Sequence, residues 1–409
     1  MSKTVDYGID LGTTNSAVSR MTRRGPEIIK DRYEQDVTPS AVGMNSQGST
    51  VVGKDAYEKP EFMAVKRFKR DMGADRAFAM RDGSMMTSIE LSAEVLKELK
   101  AAVSMRFGHD LSHAVITVPA MFMQPQIEAT HKAAELAGIQ PVALLQEPIA
   151  AATAYLNDDP REGKYLVYDL GGGTFDVSIV ELCGGEMRVL GHGGDNYLGG
   201  SDFDEKLLDW LLAKLEKQGV SPESFAAGAR REIAIHECER IKKLLSQQES
   251  ATIDLSDLGG GISGVPIDRQ NLIDLIEDDV KRTISMSKER LDESRLTAQD
   301  INSILLVGGP TKMQYVKDCL SRELGIPLNL ELDPMTVVAS GAAITASTMI
   351  IESTSASISR RATGVVSLDL TYEPVVNSGI CPLAGKVRDS DDCDLAAIPV
   401  SRGRDGDTG

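Results

Sequence analysis

Two stretches of this chain spell one phrase. Residues 5–16 read V-D-Y-G-I-D-L-G-T-T-N-S and residues 165–176 read Y-L-V-Y-D-L-G-G-G-T-F-D. In each, a run of β-forming residues delivers an aspartate (Asp10, Asp169), then a glycine turn, then hydroxyl side chains. Glycines let backbone N–H groups converge on an anion with no Cβ in the way, and hydroxyls add donors. The aspartate itself repels a phosphate, so it fits such a site only with a cation between them, usually through ordered water. One such turn is a weak signal and reads equally as an ordinary tight hairpin. Two in matched context imply a duplicated domain that grips one nucleotide phosphate chain from both sides.

The chain has 409 residues, enough for two or three domains with a large core. Aromatic residues are only 4%, so that core is built mainly of aliphatics and alanine. The 44 basic and 61 acidic residues leave a net charge of −17, which argues against a nucleic-acid surface. It does not exclude a nucleotide, because local donors and a metal can overcome the global field. Cys183, Cys238, Cys319, Cys381 and Cys393 are scattered with no C-x-x-C spacing, so they read as free thiols in a reducing cytosol. The N-terminus enters a strand without a signal-peptide apolar region, and no run reaches the roughly 18 apolar residues of a membrane span. The expectation is a cytoplasmic protein with no membrane or nucleic-acid partner.

Along the chain, strands alternate with helices, as in a layered α/β fold. Helical periodicity covers residues 88–106, 126–138, 203–217, 231–246 and 269–292, and apolar strands cover 114–119 and 301–307. Pro148 follows Glu147 at a helix start. Residues 338–346 form a last helix of small residues, suited to close packing between two lobes. After residue 351 the composition turns Ser/Thr-rich and linker-like.

With these motifs in view, the chain resembles the nucleotide-binding domain of the Hsp70 (DnaK-type) chaperones. The resemblance rests on I-D-L-G-T-T-N-S, A-V-K-R-F, A-V-I-T-V-P-A-M-F, E-P-I-A-A-A, D-L-G-G-G-T-F-D, L-G-G-S-D-F-D, E-R-I-K-K-L-L-S and L-V-G-G-P-T, in that order. It implies two actin-like (RNase H-like) lobes, each a mixed sheet flanked by helices, around a deep cleft that binds ATP or ADP with Mg²⁺, and with K⁺ as a further ion. It places lobe I at about 1–164 plus a returning helix at about 334–352, and lobe II at about 165–333. Together these make a nucleotide-binding domain over 1–352, followed by an interdomain linker over 353–370 and a tail over 371–409. The tail resembles the opening of a peptide-binding domain, which favours a fragment over a member without that domain.

The same resemblance assigns roles. Gly12, Thr13, Thr14 and Asn15, with Gly171, Gly172, Gly173 and Thr174, would wrap the β- and γ-phosphates. Lys66 would neutralise charge at the γ-phosphate; on its own it reads as a solvated lysine. Glu147 would orient or deprotonate the attacking water, although a carboxylate there also suits a helix N-terminus. Asp10 and Asp169 would hold Mg²⁺ through water, and Asp176 would complete the polar floor. Glu239, Lys242, Lys243 and Ser246 fall at i, i+3, i+4 and i+7, so they share one helix face, which otherwise reads as solvated. The resemblance gives Glu239 the ribose and the lysines and serine the adenine. Gly308 and Gly309, like Gly199 and Gly200, would let backbone approach the nucleotide, and Lys312 would flank the base. The implied partners are extended polypeptide clients held by a peptide-binding domain, a J-domain co-chaperone and a nucleotide exchange factor.

Some positions depart from the family pattern. Lys243 and Lys312 stand where arginines are usual, and an ammonium stacks less well than a guanidinium. Pro310 replaces a small polar residue and Met335 an acidic one. Met123, Gln124, Ile127 and His131 replace a more polar segment beyond Pro119, and residues 365–370 are a less hydrophobic linker. Three functions stay in play: a slow chaperone ATPase, a nucleotide-dependent scaffold with little catalysis, and a small-molecule kinase or phosphatase of the same two-lobed superfamily.

Overall fold

In the computed structural model, residues 3–258, 264–351, 367–372 and 383–388 are described. The duplicated phrase becomes duplicated topology. The first sheet is built on β1 (Tyr7–Asp10), β2 (Asn15–Thr22), β3 (Gly25–Ile28), β4 (His113–Val118) and β5 (Gln140–Gln146), in the order β5-β4-β1-β2-β3, with the short strand Thr38–Pro39 pairing on the start of β2. The second comprises β6 (Gly163–Leu170), β7 (Phe175–Cys183), β8 (Glu186–Asp195), β9 (Ile301–Val307) and β10 (Leu328–Asn329), in the order β8-β7-β6-β9-β10. Each is a three-stranded antiparallel meander extended by two parallel strands. The two halves form the actin-like pair of mixed sheets flanked by helices.

The phrase therefore lands at one place in each sheet. Asp10 ends β1 and Asp169 lies one residue before the end of β6, both central strands, and the glycine turn leads into the antiparallel neighbour. The register pairs Asp169 with Asp176 but Asp10 with Ala17. The second hairpin thus carries two facing carboxylates and the first only one.

Helices close the layers. Helix α1 (Ser88–Phe107) starts at a capping box, in which Thr87 and Glu90 satisfy each other's backbone N–H, and ends at Gly108 with φ 69°. It buries Leu91, Val95, Leu99 and Val103 in the first core, each worth about 1.5–3 kcal/mol of transfer free energy. Helix α2 (Gln124–Leu136) packs beside it. In the second half, α4 (Gly200–Glu216), α5 (Ala229–Leu245), α6 (Arg269–Glu293) and α7 (Gln314–Leu324) cover the β6–β9 core.

Two helices join the halves. Helix α3 (Glu147–Tyr155) presents Ala150, Ala151, Ala152 and Ala154 to the second sheet. Helix α8 (Val337–Ser347) lies on β1, β2 and β4 of the first sheet and crosses α3. The crossing is backbone on backbone, since a Cβ at Gly341 would stand 1.7 Å from the Ala150 carbonyl oxygen.

Strands Ser367–Tyr372 and Leu383–Arg388 pair antiparallel, so part of the expected linker is strand. The remainder of the 353–370 linker and of the 371–409 tail, with Cys381 and Cys393, lies outside the described residues. Among the described residues no helix is long and apolar enough to cross a membrane, and Cys183, Cys238 and Cys319 are free thiols.

Candidate functional site

The two glycine turns meet tip to tip between the lobes. A Cβ at Gly172 would fall 2.5 Å from Thr14 Oγ1, so the second turn accepts the first only because it is glycine there. Each turn is braced from behind. Gly12 N–H donates to Ser16 Oγ (3.2 Å), and Ser40 Oγ donates to the Gly12 carbonyl (2.8 Å). Gly171 N–H closes onto the Thr174 carbonyl (2.9 Å). The start of α4 supports the second turn: Gly200 N–H reaches the Gly171 carbonyl (3.0 Å) and Ser201 N–H the Gly172 carbonyl (2.6 Å). Gly199 and Gly200 thus brace the loop, and a Cβ at Gly199 would meet Gly173 N at 2.6 Å.

The cleft behind these turns is lined by Asp10, Gly12, Thr13, Thr14, Asn15, Glu147, Asp169, Gly171, Gly172, Thr174 and Asp176, and by Gly308 and Gly309 farther along. Thr14 Oγ1 is buried there without a hydrogen-bond partner, a donor aimed at nothing in the protein. Gly308 has φ 88°, and its missing Cβ clears the Leu170 carbonyl.

The lysine in this cleft is Lys69. Its Nζ lies 2.8 Å from Glu147 Oε1, with side-chain exposures of only 4% and 14%. The expectation for Lys66 fails. Lys66 ends a short strand (Val65–Lys66), Arg67 turns left-handed at φ 60°, and the 3₁₀ turn Phe68–Asp71 then swings Lys69 inward. Lys66 Nζ instead donates to Glu232 Oε2 (2.7 Å) and His236 Nε2 (3.2 Å) on α5, across the cleft mouth. Burial, then the adjacent Lys66 ammonium, holds His236 below its ordinary value. Tyr57 stacks on His236 at 4.8 Å and donates to Glu239 Oε2 at 2.9 Å. Sequence reasoning also missed Arg70, whose Nη2 donates to the Gly173 carbonyl and so ties the first lobe to the second turn.

The helix-face assignment needs a second correction. Lys242 is buried, with Nζ 2.7 Å from Asp204 Oδ1 and donating to the Gly200 carbonyl at 2.6 Å, so it pins α5 to α4. Lys243 pairs with Glu239 at 2.8 Å, and Ser246 Oγ donates to the Lys243 carbonyl at 2.6 Å. Lys312 pairs with Asp333 at 2.8 Å. Glu239 lines a side recess that reaches Thr13 and Thr14.

Four carboxylates, Asp10, Glu147, Asp169 and Asp176, share this cleft with one buried ammonium. Burial first, then the Glu147 charge, pushes Asp176 up to about 7 and Asp169 well above the carboxylate range. Asp10 rises for the same two reasons, against Lys69 and a 3.1 Å hydrogen bond from Thr117 Oγ1. Such a floor fits a divalent cation. Among the described residues no three acidic, histidine or cysteine side chains stand close enough to ligate a metal directly.

A carboxyl with a raised folded pKa stabilises the fold fully below the unfolded value, and that contribution is lost as pH rises through the folded one. In chelator-treated, nucleotide-free protein, Asp169→Asn should therefore change the Tm little near pH 4. It should raise it by about 2–4 °C near pH 8, followed by calorimetry across that range. A gain independent of pH would show that Asp169 carries no buried charge.

Paired mixed sheets of one topology, with acid-floored glycine hairpins facing across a cleft, define a two-lobed protein of the actin-like class. A model described as "Hsp70 protein" matches residues 6–81 and 61–372, the two matches overlapping where both Lys-Arg pairs lie. The chain belongs to the Hsp70 family. It is 37% identical over 361 residues to proteins described as "Chaperone protein HscA homolog" from Burkholderia lata and Burkholderia cenocepacia. A Burkholderia multivorans protein of the same description is 36% identical over 363 residues. Each alignment covers 83% of this chain and 57% of the relative, so the chain matches little more than half the length of these relatives.

Proposed function

We propose that this chain is the ATPase module of an Hsp70-type chaperone, taking ATP with Mg²⁺ into the cleft and hydrolysing it slowly to ADP and phosphate. The observation that carries the reading is the buried Lys69–Glu147 pair, set where two mirrored Asp–Gly hairpins meet. Backbone N–H groups of Thr13, Thr14, Gly172 and Gly173, with the Thr13, Thr14 and Thr174 hydroxyls, wrap the phosphate tail. The unpartnered Thr14 hydroxyl gains the acceptor it lacks. Lys69 places its ammonium against charge that builds on the transferring phosphoryl group, the main need of this reaction. Glu147 orients the attacking water and takes its proton as the new P–O bond forms and the bond from the γ-phosphorus to the departing ADP oxygen breaks. Asp10 and Asp169, backed by Asp176, would hold Mg²⁺, whose charge would offset that of the phosphates.

Arg70, the Lys66 cluster and the α3–α8 crossing all span the lobes, so nucleotide state changes lobe closure. A peptide-binding domain gripping extended clients reads that change, and a J-domain co-chaperone and an exchange factor set its tempo. The HscA homologues support this by their chaperone description. Isothermal calorimetry with Mg²⁺ should show uptake of both ATP and ADP, and ATP-loaded protein should release phosphate. Well-folded protein that takes up neither nucleotide ends the proposal, whereas uptake without phosphate release leaves only a scaffold.

A further inference from the structure

Beyond the phosphate hairpins the cleft runs on to an end built from Val307, Gly308, Gly309, Pro334, Met335 and Val338. The cleft's other end, at Pro119, Met121, Phe122 and Gln126, lies beside Lys69, whose Nζ is 5.6 Å from the Phe122 ring centroid. With the terminal phosphate set against Lys69, the nucleoside lies away from it, toward the end at Gly308 and Met335. Its walls are glycine backbone, aliphatic carbon and one thioether, and Met335 Sδ stands 3.8 Å from where a Gly309 Cβ would be. A thioether is a weak acceptor, and neighbouring Pro310 has no N–H to give.

The polar side chains nearby are already committed. Lys312 Nζ sits 2.8 and 2.9 Å from the two Asp333 oxygens, and Asp333 Oδ1 also accepts the Met335 N–H at 2.9 Å. Lys243 is held by Glu239 and Lys242 by Asp204, while Ser246 Oγ is turned onto the Lys243 carbonyl. Among the described residues, no side chain at this end presents an uncommitted donor and acceptor in the pattern that tells one base edge from another. Flat apolar contact and sulfur–ring contact remain, and both reward ring area whatever the exocyclic groups.

We propose that this end of the cleft selects a purine by ring size and apolar contact without separating adenine from guanine, so that the module takes GTP nearly as well as ATP. The proposal rests on the nucleotide reading above. A site that hydrogen-bonds its ligand's polar group rejects the analogue lacking it by about 10⁴–10⁵-fold, whereas an apolar pocket discriminates by only about 10–200-fold.

Competition calorimetry with Mg²⁺-ATP, Mg²⁺-GTP and Mg²⁺-CTP on the full chain tests this. The expected Kd values for ATP and GTP agree within about tenfold, with CTP at least about tenfold weaker. A preference for ATP over GTP beyond about 100-fold, or CTP bound as tightly as ATP, overturns it. Met335→Asp supplies a carboxylate that pairs with the adenine amine or with guanine N1–H and its amine, according to the edge presented. It should move the ATP:GTP ratio at least about tenfold, while Met335→Leu leaves it within about threefold. An unmoved ratio in a folded Met335→Asp variant also overturns the proposal. Uptake of none of the three nucleotides is a separate result, and it removes the underlying nucleotide reading.

Discussion

Lys69→Ala should lower steady-state ATP turnover by about 10²–10³-fold, while Lys66→Ala should leave it within about threefold. The two lysines are three residues apart, each followed by arginine, yet their surroundings differ sharply. Lys69 is 4% exposed and bonded to the Glu147 carboxylate within the acid-floored cleft. Lys66 is 24% exposed and pairs across the cleft mouth with Glu232. Removing Lys69 deletes the buried ammonium paired with Glu147 in the cleft, so the loss should fall on turnover and not on ATP affinity, which the hairpin amides would largely supply. It also leaves Glu147 without its partner, at a stability cost of about 1–3 kcal/mol, so thermal denaturation must confirm that the variant is folded. Lys66→Ala removes a contact between lobes and should instead speed nucleotide release, read by stopped-flow chase of a fluorescent ADP. The opposite pattern, with Lys66 essential and Lys69 dispensable, would overturn the placement of the phosphates beside Glu147.

That pair of lysines marks where reading the chain alone gives out. The hairpins were legible because their signals are local: a β run, an aspartate, glycines where backbone must be bare, then threonines. Strand 301–307 and the helix at 88–107 were legible for the same reason, having an apolar period and clear ends. Which of two neighbouring lysines points inward depends on a left-handed turn at Arg67, a conformation that an arginine adopts rarely and does not announce. Glu239, Lys242 and Lys243 do lie on one helix, α5, but with unlike surroundings. The burial of Lys242, however, is decided by Asp204 on α4, a partner 38 residues away. Gly199 and Gly200 were recognised as needing close approach, and among what approaches is the backbone of residues 171–173: the carbonyl of Gly171 and the amide of Gly173. Arg70 carried no local signal of its own, because its acceptor is a backbone carbonyl on the other lobe. Long-range partners of polar groups are the information that spacing within one segment does not hold.

Gly341→Val should destabilise the protein by about 4 kcal/mol or more, lowering the Tm by at least about 5 °C. Gly341 is not among the glycines with positive φ, so its requirement is space alone. An added Cβ would sit 1.7 Å from the Ala150 oxygen and 2.5 Å from the Ala150 carbonyl carbon, both backbone atoms that no rotamer change can move. On its other side α8 is pressed against β1, where a Cβ at Gly8 would meet Ala343 N at 2.1 Å. The helix has no free direction in which to retreat, so relief must come from separating α8 from α3, the two helices that join the lobes. Glu147 is the first residue of α3, and Asp10 ends the strand that α8 covers. The same displacement therefore pulls the acid floor apart, and ATP uptake by the folded fraction should weaken together with the Tm. Ser340→Ala, one residue away on the same helix and clear of the crossing, should change neither. A Gly341→Val protein melting within about 1 °C of the parent would mean that the helices do not cross in contact, and the rigid joint between the lobes would have to be sought elsewhere.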